Sequence, residues 1–383
     1  MNEPMDLQER GTQLLDFNRW QPLEFEVAMT QNGLVTSNVQ IFQGSHWGWV
    51  RAFAMPADPE GLHYDPGAPP QFGTPTEDAY IDGSVAVLRY SSWLDPDDEV
   101  MIDISPVSRG MNSLGLNDGN GHGSLPNPFT GQSYEQNWVK RGDFARVIAE
   151  FWADGPRSET PPGHWNTLAN AVADHSDHER RYRGVGPELD PLEWDVKVYF
   201  MLNAALHDAA IAAWGCKRYY DYIRPISSIR HLAQVQKLPI IPRLIEQVTA
   251  ESSGPGERHY HLLAEGGQLG DMAVYTWGGE PEDKLTEHTG TEWILAENWL
   301  PYQRDTFVTP AFAGYVSGHS AFSRASAEVL TYITGSPYFP GGMATHTVPR
   351  GHLEFEFGPS ETITLQWARY FDASDEAGLS RLY

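Results

Sequence analysis

Cysteine and positive charge are scarce in this sequence. One cysteine, Cys216, occurs in 383 residues, which excludes an intrachain disulfide framework. Lysine and arginine number 26 against 51 aspartates and glutamates, so the formal net charge is −25. Nucleic-acid backbones are bound by concentrated lysine and arginine, and this balance therefore argues against nucleic acid as a partner.

Long apolar runs are missing as well. The longest, residues 198–214, is interrupted by Asn203, His207 and Asp208, and is too short and too polar for a membrane span. The first twenty residues contain no basic stretch followed by an apolar run, so the chain as written shows no signal peptide. Localisation stays open, and the acidic composition favours an extracytoplasmic setting if the start is processed or truncated.

Apolar side chains are nevertheless plentiful, at 40% hydrophobic and 12% aromatic residues, which is enough for a sizeable core. The length exceeds what one core usually serves, and we predict two parts. Residues 1–137 carry most of the Pro- and Gly-rich turns and are predicted to be loop-rich, with short strands such as 99–104. Residues 84–90 fit either a strand or the start of a helix.

Residues 138–383 have the pattern of a helical domain, and the predicted fold is mainly α. The predicted helices are 138–153, 165–176, 190–213, 226–233, 240–250, 320–334 and 362–381. The helix that leads to Trp214 is apolar around most of its circumference, so it is expected to be central. A homo-oligomer is left open.

A cluster of cations follows this central helix. Four of the 26 cations lie between Lys217 and Arg230, with Arg218 and Arg224 between them. Lys217 and Arg224 are two helical turns apart and point to one side if the helix continues that far. Pro225 biases Arg224 away from helical geometry, so its guanidinium could grip two oxygens at a helix end. The cluster indicates an oxyanion site, and the alternative is a solvated or acid-paired basic face.

A second element is the turn Ser317-Gly318-His319, which opens a helix rich in small residues. Backbone N–H groups, a permissive glycine and a serine hydroxyl suit an anion at the positive end of a helix. His319 could act there as acid or base on a bound oxyanion. The alternative is an N-cap serine and a histidine that bonds to the backbone.

These two elements and a third, Ser380-Arg381, resemble the signature of vanadium-dependent haloperoxidases and the related type 2 phosphatidic acid phosphatases. The three parts are Lys217 with Arg224-Pro225, then Ser317-Gly318-His319, then Ser380-Arg381, in that order. The resemblance covers the chain from about Trp138 onward, and the ordered match is more specific than any one part.

The resemblance implies an all-helical fold that holds vanadate or phosphate between its helices. The groups that would grip the oxyanion are Lys217, Arg224, Arg381, Ser317 and the N–H of Gly318. His319 would be the acid–base residue, and Lys217 would polarise hydrogen peroxide. Donors arranged around an oxyanion serve either chemistry, because charge accumulates on its oxygens in the transition state.

Two positions depart from the family pattern. Val316 stands where the second motif normally has proline. The third motif should continue for five residues after Ser-Arg to a histidine that bonds vanadium or attacks phosphorus, whereas this chain stops at Tyr383. We therefore expect a truncated chain, with its axial histidine beyond Tyr383, that binds an oxyanion without completing the reaction.

Trp214 and Phe312 decide between the two branches of the superfamily. Their offsets from Lys217 and His319 resemble those of chloroperoxidase-type members, in which a Trp and a Phe line the halide pocket. The resulting hypothesis is a vanadium-dependent haloperoxidase that uses vanadate, hydrogen peroxide and a halide, with a small organic acceptor. The alternatives are a phosphomonoesterase with the same anion cage and a non-catalytic anion-binding protein, if the chain truly ends at residue 383.

Asp208 lies inside the apolar helix and, as a buried acid, is predicted to partner a site cation or His319. Three tryptophans of the amino-terminal part could face a partner or pack on the helical domain: Trp47, Trp49 and Trp93. Three histidine-bearing stretches are weaker candidates for metal sites, and we expect connectors or structural histidines there. They are 117–122, 174–179 and 259–261.

Overall fold

The computed structural model describes residues 2–30, 32–109, 126–153 and 159–383. Helical residues far outnumber strand residues in these ranges, as predicted for a mainly α fold with loop-rich regions. They are α1 (Glu77–Ser91), α2 (Pro106–Arg109), α3 (Arg141–Phe151), α4 (Pro161–Asp174), α5 (Pro191–Tyr220), α6 (Pro225–Gln234), α7 (Tyr260–Ala264), α8 (Gly318–Thr334) and α9 (Tyr370–Leu379). No helix among the described residues is long and apolar enough to cross a membrane.

The strands are short and form small sheets beside the helices. They are β1 (Met5–Asp6), β2 (Leu23–Glu24), β3 (Met101–Asp103), β4 (Trp138–Lys140), β5 (Ile245–Gln247), β6 (Met272–Trp277), β7 (Thr291–Leu295), β8 (Ala344–Val348) and β9 (Ile363–Trp367). β1 pairs with β2 in parallel, β3 with β4 antiparallel and β8 with β9 antiparallel. The remaining three form an antiparallel sheet in the order β5-β6-β7.

The 30-residue helix α5 is central, as its apolar circumference predicts. It begins where the Asp190 side chain accepts a hydrogen bond from the N–H of Leu192, with Pro191 in the first turn. It ends at Asp221, whose φ of 44° is left-handed and stops the helix. Helices α4 and α8 pack against α5, and α9 packs against α8.

The core between these helices is rich in tryptophan. The fully buried tryptophans Trp152, Trp165, Trp194 and Trp367 lie in one apolar cluster with residues of α5, α8 and α9. Burial of a large apolar side chain contributes about 1.5–3 kcal/mol. This cluster therefore provides the rigid base on which the ends of α5, α8 and α9 come together.

A second apolar core joins the amino-terminal residues to the middle of the chain. Leu23 and Leu88 pack there with Ile229 of α6, Val274 of β6 and Trp299. The boundary between residues 137 and 138 stays a prediction, although residues on both sides of it share this core.

The structure corrects three predicted helices. Residues 138–140 are strand β4, and the helix begins only at Arg141. The segment 240–250 is turns and strand β5, because it pairs with β6. The segment 362–381 is divided: 363–367 form β9 against β8, and α9 begins at Tyr370. In each case a pairing with a distant strand overrides the local helical pattern.

Other predictions for the amino-terminal part are resolved by the structure. Residues 84–90 lie in helix α1, so of the two alternatives the helix is correct. The strand predicted at 99–104 is present as β3. Trp93 packs on the ring of Tyr90 and beneath the guanidinium of Arg141, 5.1 Å from its ring centroid.

Candidate oxyanion site

Lys217 lies in the last turn of α5 and is only 2% exposed. Its ammonium donates a hydrogen bond to the carbonyl of Ala313 at 2.8 Å. Burial, together with the positive charge of Arg224, holds the pKa of Lys217 well below its usual range. The fold therefore places a cation where its charged form is poorly compensated.

Arg224 stands directly before α6, with φ −100° and ψ 155°. This extended conformation is the one that a following proline imposes, here Pro225. Its Nε donates to the carbonyl of Phe312 at 2.6 Å. Burial and the nearby charge of Arg381 lower the pKa of Arg224 to about 9. Two successive carbonyls, of Phe312 and Ala313, therefore hold the two predicted cations side by side.

The second motif forms the start of α8. Ser317 is the N-cap, and its hydroxyl oxygen accepts a hydrogen bond from the N–H of Ser320 at 3.1 Å. Gly318 is the first helical residue, and a Cβ there would lie 3.1 Å from Cζ3 of Trp214. The N–H groups of a first helical turn lack intrahelical partners and carry positive partial charge. Glycine at position 318 therefore allows the ring of Trp214 to lie close to these N–H groups.

His319 and Arg381 meet at the same place. Nη1 of Arg381 lies 3.5 Å from Nε2 of His319, and its Nη2 donates to the carbonyl of Ala149 at 3.2 Å. Burial, followed by the charge of Arg381, holds the pKa of His319 well below its usual range. Because a guanidinium only donates, Nε2 of the neutral ring is the acceptor and faces the cations. A backbone hydrogen bond with Trp152 holds the ring.

Neither Lys217 nor Arg224 has a carboxylate at ion-pair distance within residues 2–30, 32–109, 126–153 and 159–383. Buried charges in proteins are normally paired, because taking an isolated charge out of water is costly. Converging cations, a helix start and a neutral histidine would satisfy a bound oxyanion. The residues therefore fit vanadate or phosphate.

Trp214 and Phe312 form an aromatic wall beside the cations, with ring centroids 4.8 Å apart. The ammonium of Lys217 lies 4.9 Å from the Phe312 centroid and 5.7 Å from that of Trp214. The guanidinium of Arg224 lies 5.0 Å from the Phe312 centroid. The residues predicted to line a halide pocket are thus adjacent to the predicted oxyanion ligands.

The structure places Asp208 outside this group, which corrects its predicted role. Its carboxylate accepts hydrogen bonds from the N–H groups of Phe53, Ala54 and Met55, at 2.7, 2.8 and 3.2 Å. These bonds hold the pKa of Asp208 below its ordinary value against the effect of burial. Asp208 anchors an amino-terminal loop on α5.

The weaker metal candidates have local partners. His259 bonds to Ser252 through Nδ1 at 2.9 Å, and His261 to the carbonyl of Trp293 through Nε2 at 2.7 Å. In the stretch 174–179, His175 accepts from the N–H of Asp177. Among the described residues no group of three or more His, Cys, Asp or Glu side chains could hold a metal ion. The stretch 117–122 lies outside the described residues.

Sequence reasoning missed the backbone that positions the site. The carbonyls of Ala149, Phe312 and Ala313 hold three of the cations, and carbonyls carry no residue-type signal. Of the two alternatives given for Trp47, packing on the helical domain is correct, because its ring lies against that of Trp214; its place beside the oxyanion site was not predicted. Only the richness of that segment in tryptophan and glycine hinted at a packed surface.

Comparison with known proteins shows which domain family and which solved structures the chain resembles. Residues 197–383, just under half of the chain, match the family described as the VCPO second helical-bundle domain. The apo form of a bacterial vanadium-dependent chloroperoxidase is similar in structure, with a TM-score of 0.57 and 16% identity over 97% of this chain and 57% of that one. Its holo form gives 0.55 and 16%, over 99% and 57%. At the level of sequence, no curated protein matches.

The helical bundle, with α5, α8 and α9 meeting at one end, is the fold of this class of domain. Residues 197–383 are similar to that domain family, and the chain as a whole shares the fold of a bacterial vanadium-dependent chloroperoxidase. It spans 57% of the length of the chloroperoxidase chain.

Proposed function

We propose that the protein is a vanadium-dependent haloperoxidase, which oxidises a halide with hydrogen peroxide and delivers the halogen to a small organic acceptor. The observation that carries the proposal is the pair Lys217 and Arg224. Lys217 is buried and Arg224 is partly buried, both bond to backbone carbonyls, and both lie against an aromatic wall.

Vanadate held at this site would supply the Lewis acid that activates hydrogen peroxide towards a halide. Lys217, Arg224 and Arg381 would bind its oxygens, and the start of α8 would add the hydroxyl of Ser317 and the N–H of Gly318. These donors are fixed before the anion arrives, so little reorganisation is needed as charge develops.

His319 is the acid–base residue of the proposed reaction. Its ring is neutral because burial and Arg381 lower its pKa, so Nε2 is free of a proton at neutral pH. A neutral Nε2 that faces the cations can take a proton from a reactant bound there and return it to a product. The hydrogen bond with Trp152 keeps that nitrogen directed at the site.

Trp214 and Phe312 bind the halide and exclude water. Trp214 is 8% exposed, while Phe312 keeps some accessible surface beside the cations. A partly dehydrated halide between these rings and Lys217 is a stronger nucleophile than a hydrated one.

The first test is binding, on the chain of residues 1–383. Calorimetric titration with orthovanadate is expected to show one site that phosphate competes for. Lys217→Met should abolish this binding at the concentrations used. Lys197→Met is the matched control, because Lys197 lies on the same helix α5, is partly exposed and pairs with Glu193. Equal binding by wild type and Lys217→Met would contradict the proposal.

The second test is turnover. In the family the third motif includes a histidine after Ser380-Arg381, and residues 1–383 end before that position. A chain that includes this histidine is expected to brominate or chlorinate a chromogenic diketone with peroxide, to require vanadate, and to be inhibited by phosphate. His319→Ala should abolish halogenation.

A phosphomonoesterase is the second candidate, because the same donor set fits a phosphoryl group equally well. Hydrolysis of an aryl phosphate that vanadate inhibits, without halogenation, would replace the proposal by this alternative. Binding of oxyanions with neither activity would support the non-catalytic reading.

A further inference from the structure

The amino-terminal segment 43–49 lies against the aromatic wall of the oxyanion site. It contains the short 3-10 helix Trp47–Trp49, which packs on α5. Nε1 of Trp214 donates a hydrogen bond to the carbonyl of Gln43 at 3.1 Å. The segment thus binds the one polar atom of the Trp214 side chain.

Two glycines of this segment allow the close contact. Gly44 has φ 75°, and a Cβ there would lie 2.6 Å from both Cδ1 and Nε1 of Trp214. A Cβ on Gly48 would lie 2.3 Å from the carbonyl oxygen of Gly61 and 2.9 Å from Cα of Gly215, the neighbour of Trp214. Larger residues at these positions would push the segment away from α5. Glycine at positions 44 and 48 is therefore required for the contact between this segment and the end of α5.

Trp47 completes the contact from the solvent side. Its ring centroid is 4.7 Å from that of Trp214, and the two ring planes are tilted by 42°. Trp47 is partly exposed, whereas Trp214 is buried between Trp47, Phe312 and the start of α8. The row Trp47, Trp214, Phe312 runs from the surface to the cations.

We propose that Trp47 is a positioning residue for Trp214, in the aromatic wall beside the oxyanion site. With Gln43 it fixes the indole of Trp214 against Gly318 and Lys217, and so limits the water that reaches the space between the Trp214 and Phe312 rings. Its role in halide binding rests on the function proposed above. Removing the ring would leave a space beside Trp214 into which the indole can shift and water can enter.

The direct test observes Trp214 itself, in the chain of residues 1–383 labelled with 5-fluorotryptophan. The sequence has 13 tryptophans, and the Trp214 resonance is assigned as the one absent from Trp214→Phe. Trp47→Ala is expected to shift this fluorine resonance and to increase its solvent isotope shift, with Trp47→Phe intermediate. Trp49→Ala is the matched control, since Trp49 is 55% exposed and lies beneath Arg218 instead.

An unchanged Trp214 resonance in Trp47→Ala would overturn the inference, as would an equal change in Trp49→Ala. Tungstate affinity, measured on the same samples, separates this inference from the proposed function. We expect tungstate to bind wild type and Trp47→Ala within about twofold, since Trp47 contacts no oxyanion ligand. Failure of wild type to bind would refute the proposed function while leaving the resonance test valid.

The second test uses a chain that includes the third-motif histidine. Trp47→Ala should raise the KM for halide by about two- to tenfold, the range that one aromatic pair contributes, with kcat nearly unchanged. Trp47→Phe should recover most of this loss. A fall in kcat at unchanged KM, or no effect on either, would contradict a role exerted through Trp214.

Discussion

Two groups of buried or partly buried cations in this protein differ in the groups that neutralise their charge. Arg146 on α3 is 1% exposed and forms ion pairs with Asp143 at 2.5 Å and Glu356 at 2.8 Å. Its acidic and phenolic neighbours raise its pKa in spite of burial. Lys217 and Arg224 bond only to carbonyls in the described structure, and their pKa values are lowered. The fold therefore neutralises the charge of Arg146 with carboxylates, whereas the positive charges of Lys217 and Arg224 stay unbalanced.

Arg230 shows that a missing carboxylate is not sufficient to define a site. It is 1% exposed, and burial lowers its pKa to about 10. Its guanidinium donates to the carbonyls of Glu9, Gly11, Asn298 and Trp299, and so joins the amino terminus to α6. The oxyanion site differs because several cations converge there with a helix start and a histidine.

The largest expected effect is the loss of stability on substitution of Arg146, the cation that is paired with carboxylates. Arg146→Met leaves Asp143 and Glu356 buried without their cation and should lower the free energy of unfolding by about 3–5 kcal/mol. Denaturant titration measures this. In the control Arg141→Met, which breaks the partly exposed pair with Asp98, the expected loss is about 0–1 kcal/mol. Equal losses in the two variants would contradict the comparison.

Substitution of an unbalanced cation should affect oxyanion binding instead of stability. Arg224→Met is expected to weaken tungstate binding about ten- to a hundredfold, the contribution of one charge-assisted hydrogen bond. The unfolding free energy should stay the same or rise, because an unbalanced, partly buried charge is removed. Calorimetry and denaturant titration on one preparation give both values. A variant that binds normally but unfolds more easily would mean that Arg224 is structural, like Arg146.

Alkaline pH should weaken oxyanion binding. The fold lowers the pKa of Arg224 to about 9 and that of Lys217 well below its usual range, so rising pH neutralises these two cations first. Tungstate is the suitable probe, because its own charge does not change across this range. Its affinity should fall as pH rises towards and past about 9. A flat affinity profile would show that neither cation binds the anion.

The same pKa shifts determine how the stability of the ligand-free protein changes with pH. Lys217 and Arg224 are bases, and the pKa of each is lower in the folded protein than in the unfolded chain. At a pH between the folded and the unfolded pKa of either group, the unfolded chain therefore binds more protons. Stability of the free protein should therefore rise with pH across that interval, starting near 9 for Arg224. Binding an oxyanion should reduce this dependence, because it favours the charged forms.

A smaller effect on stability than that of Arg146→Met is expected at Ser317. Ser317→Ala removes the N-cap of α8 and should cost about 0.5–2 kcal/mol of stability. Ser317→Asp keeps a good cap but places a negative charge in the site, so it should preserve stability and abolish tungstate binding. Tungstate binding by Ser317→Asp at the wild-type affinity would contradict an anion site at the start of α8.

The sequence predicted the side chains of the site better than it predicted their support. Lys217, Arg224, His319 and Arg381 were predicted because their residue types and order carry the chemistry. Trp214 was predicted as a wall residue, but its contact with Trp47 spans more than 160 residues of chain and leaves no local pattern.

The errors in secondary structure have a similar origin. Residues 363–367 fit a helical pattern locally, yet their backbone groups pair with β8. The helix α5 was predicted correctly because 30 residues of consistent pattern, a cap and a proline all agree. Where a short segment depends on a distant partner, the local sequence could not decide its structure.

A crystal of the 1–383 chain soaked in tungstate tests the central claim most directly, because the anomalous signal of tungsten locates the anion without assumptions about activity. We predict one strong peak within hydrogen-bond reach of Lys217, Arg224 and the N–H of Gly318, and its loss in crystals of Lys217→Met. No peak at this position in the wild-type crystal, or an equal peak in Lys217→Met, would contradict the account.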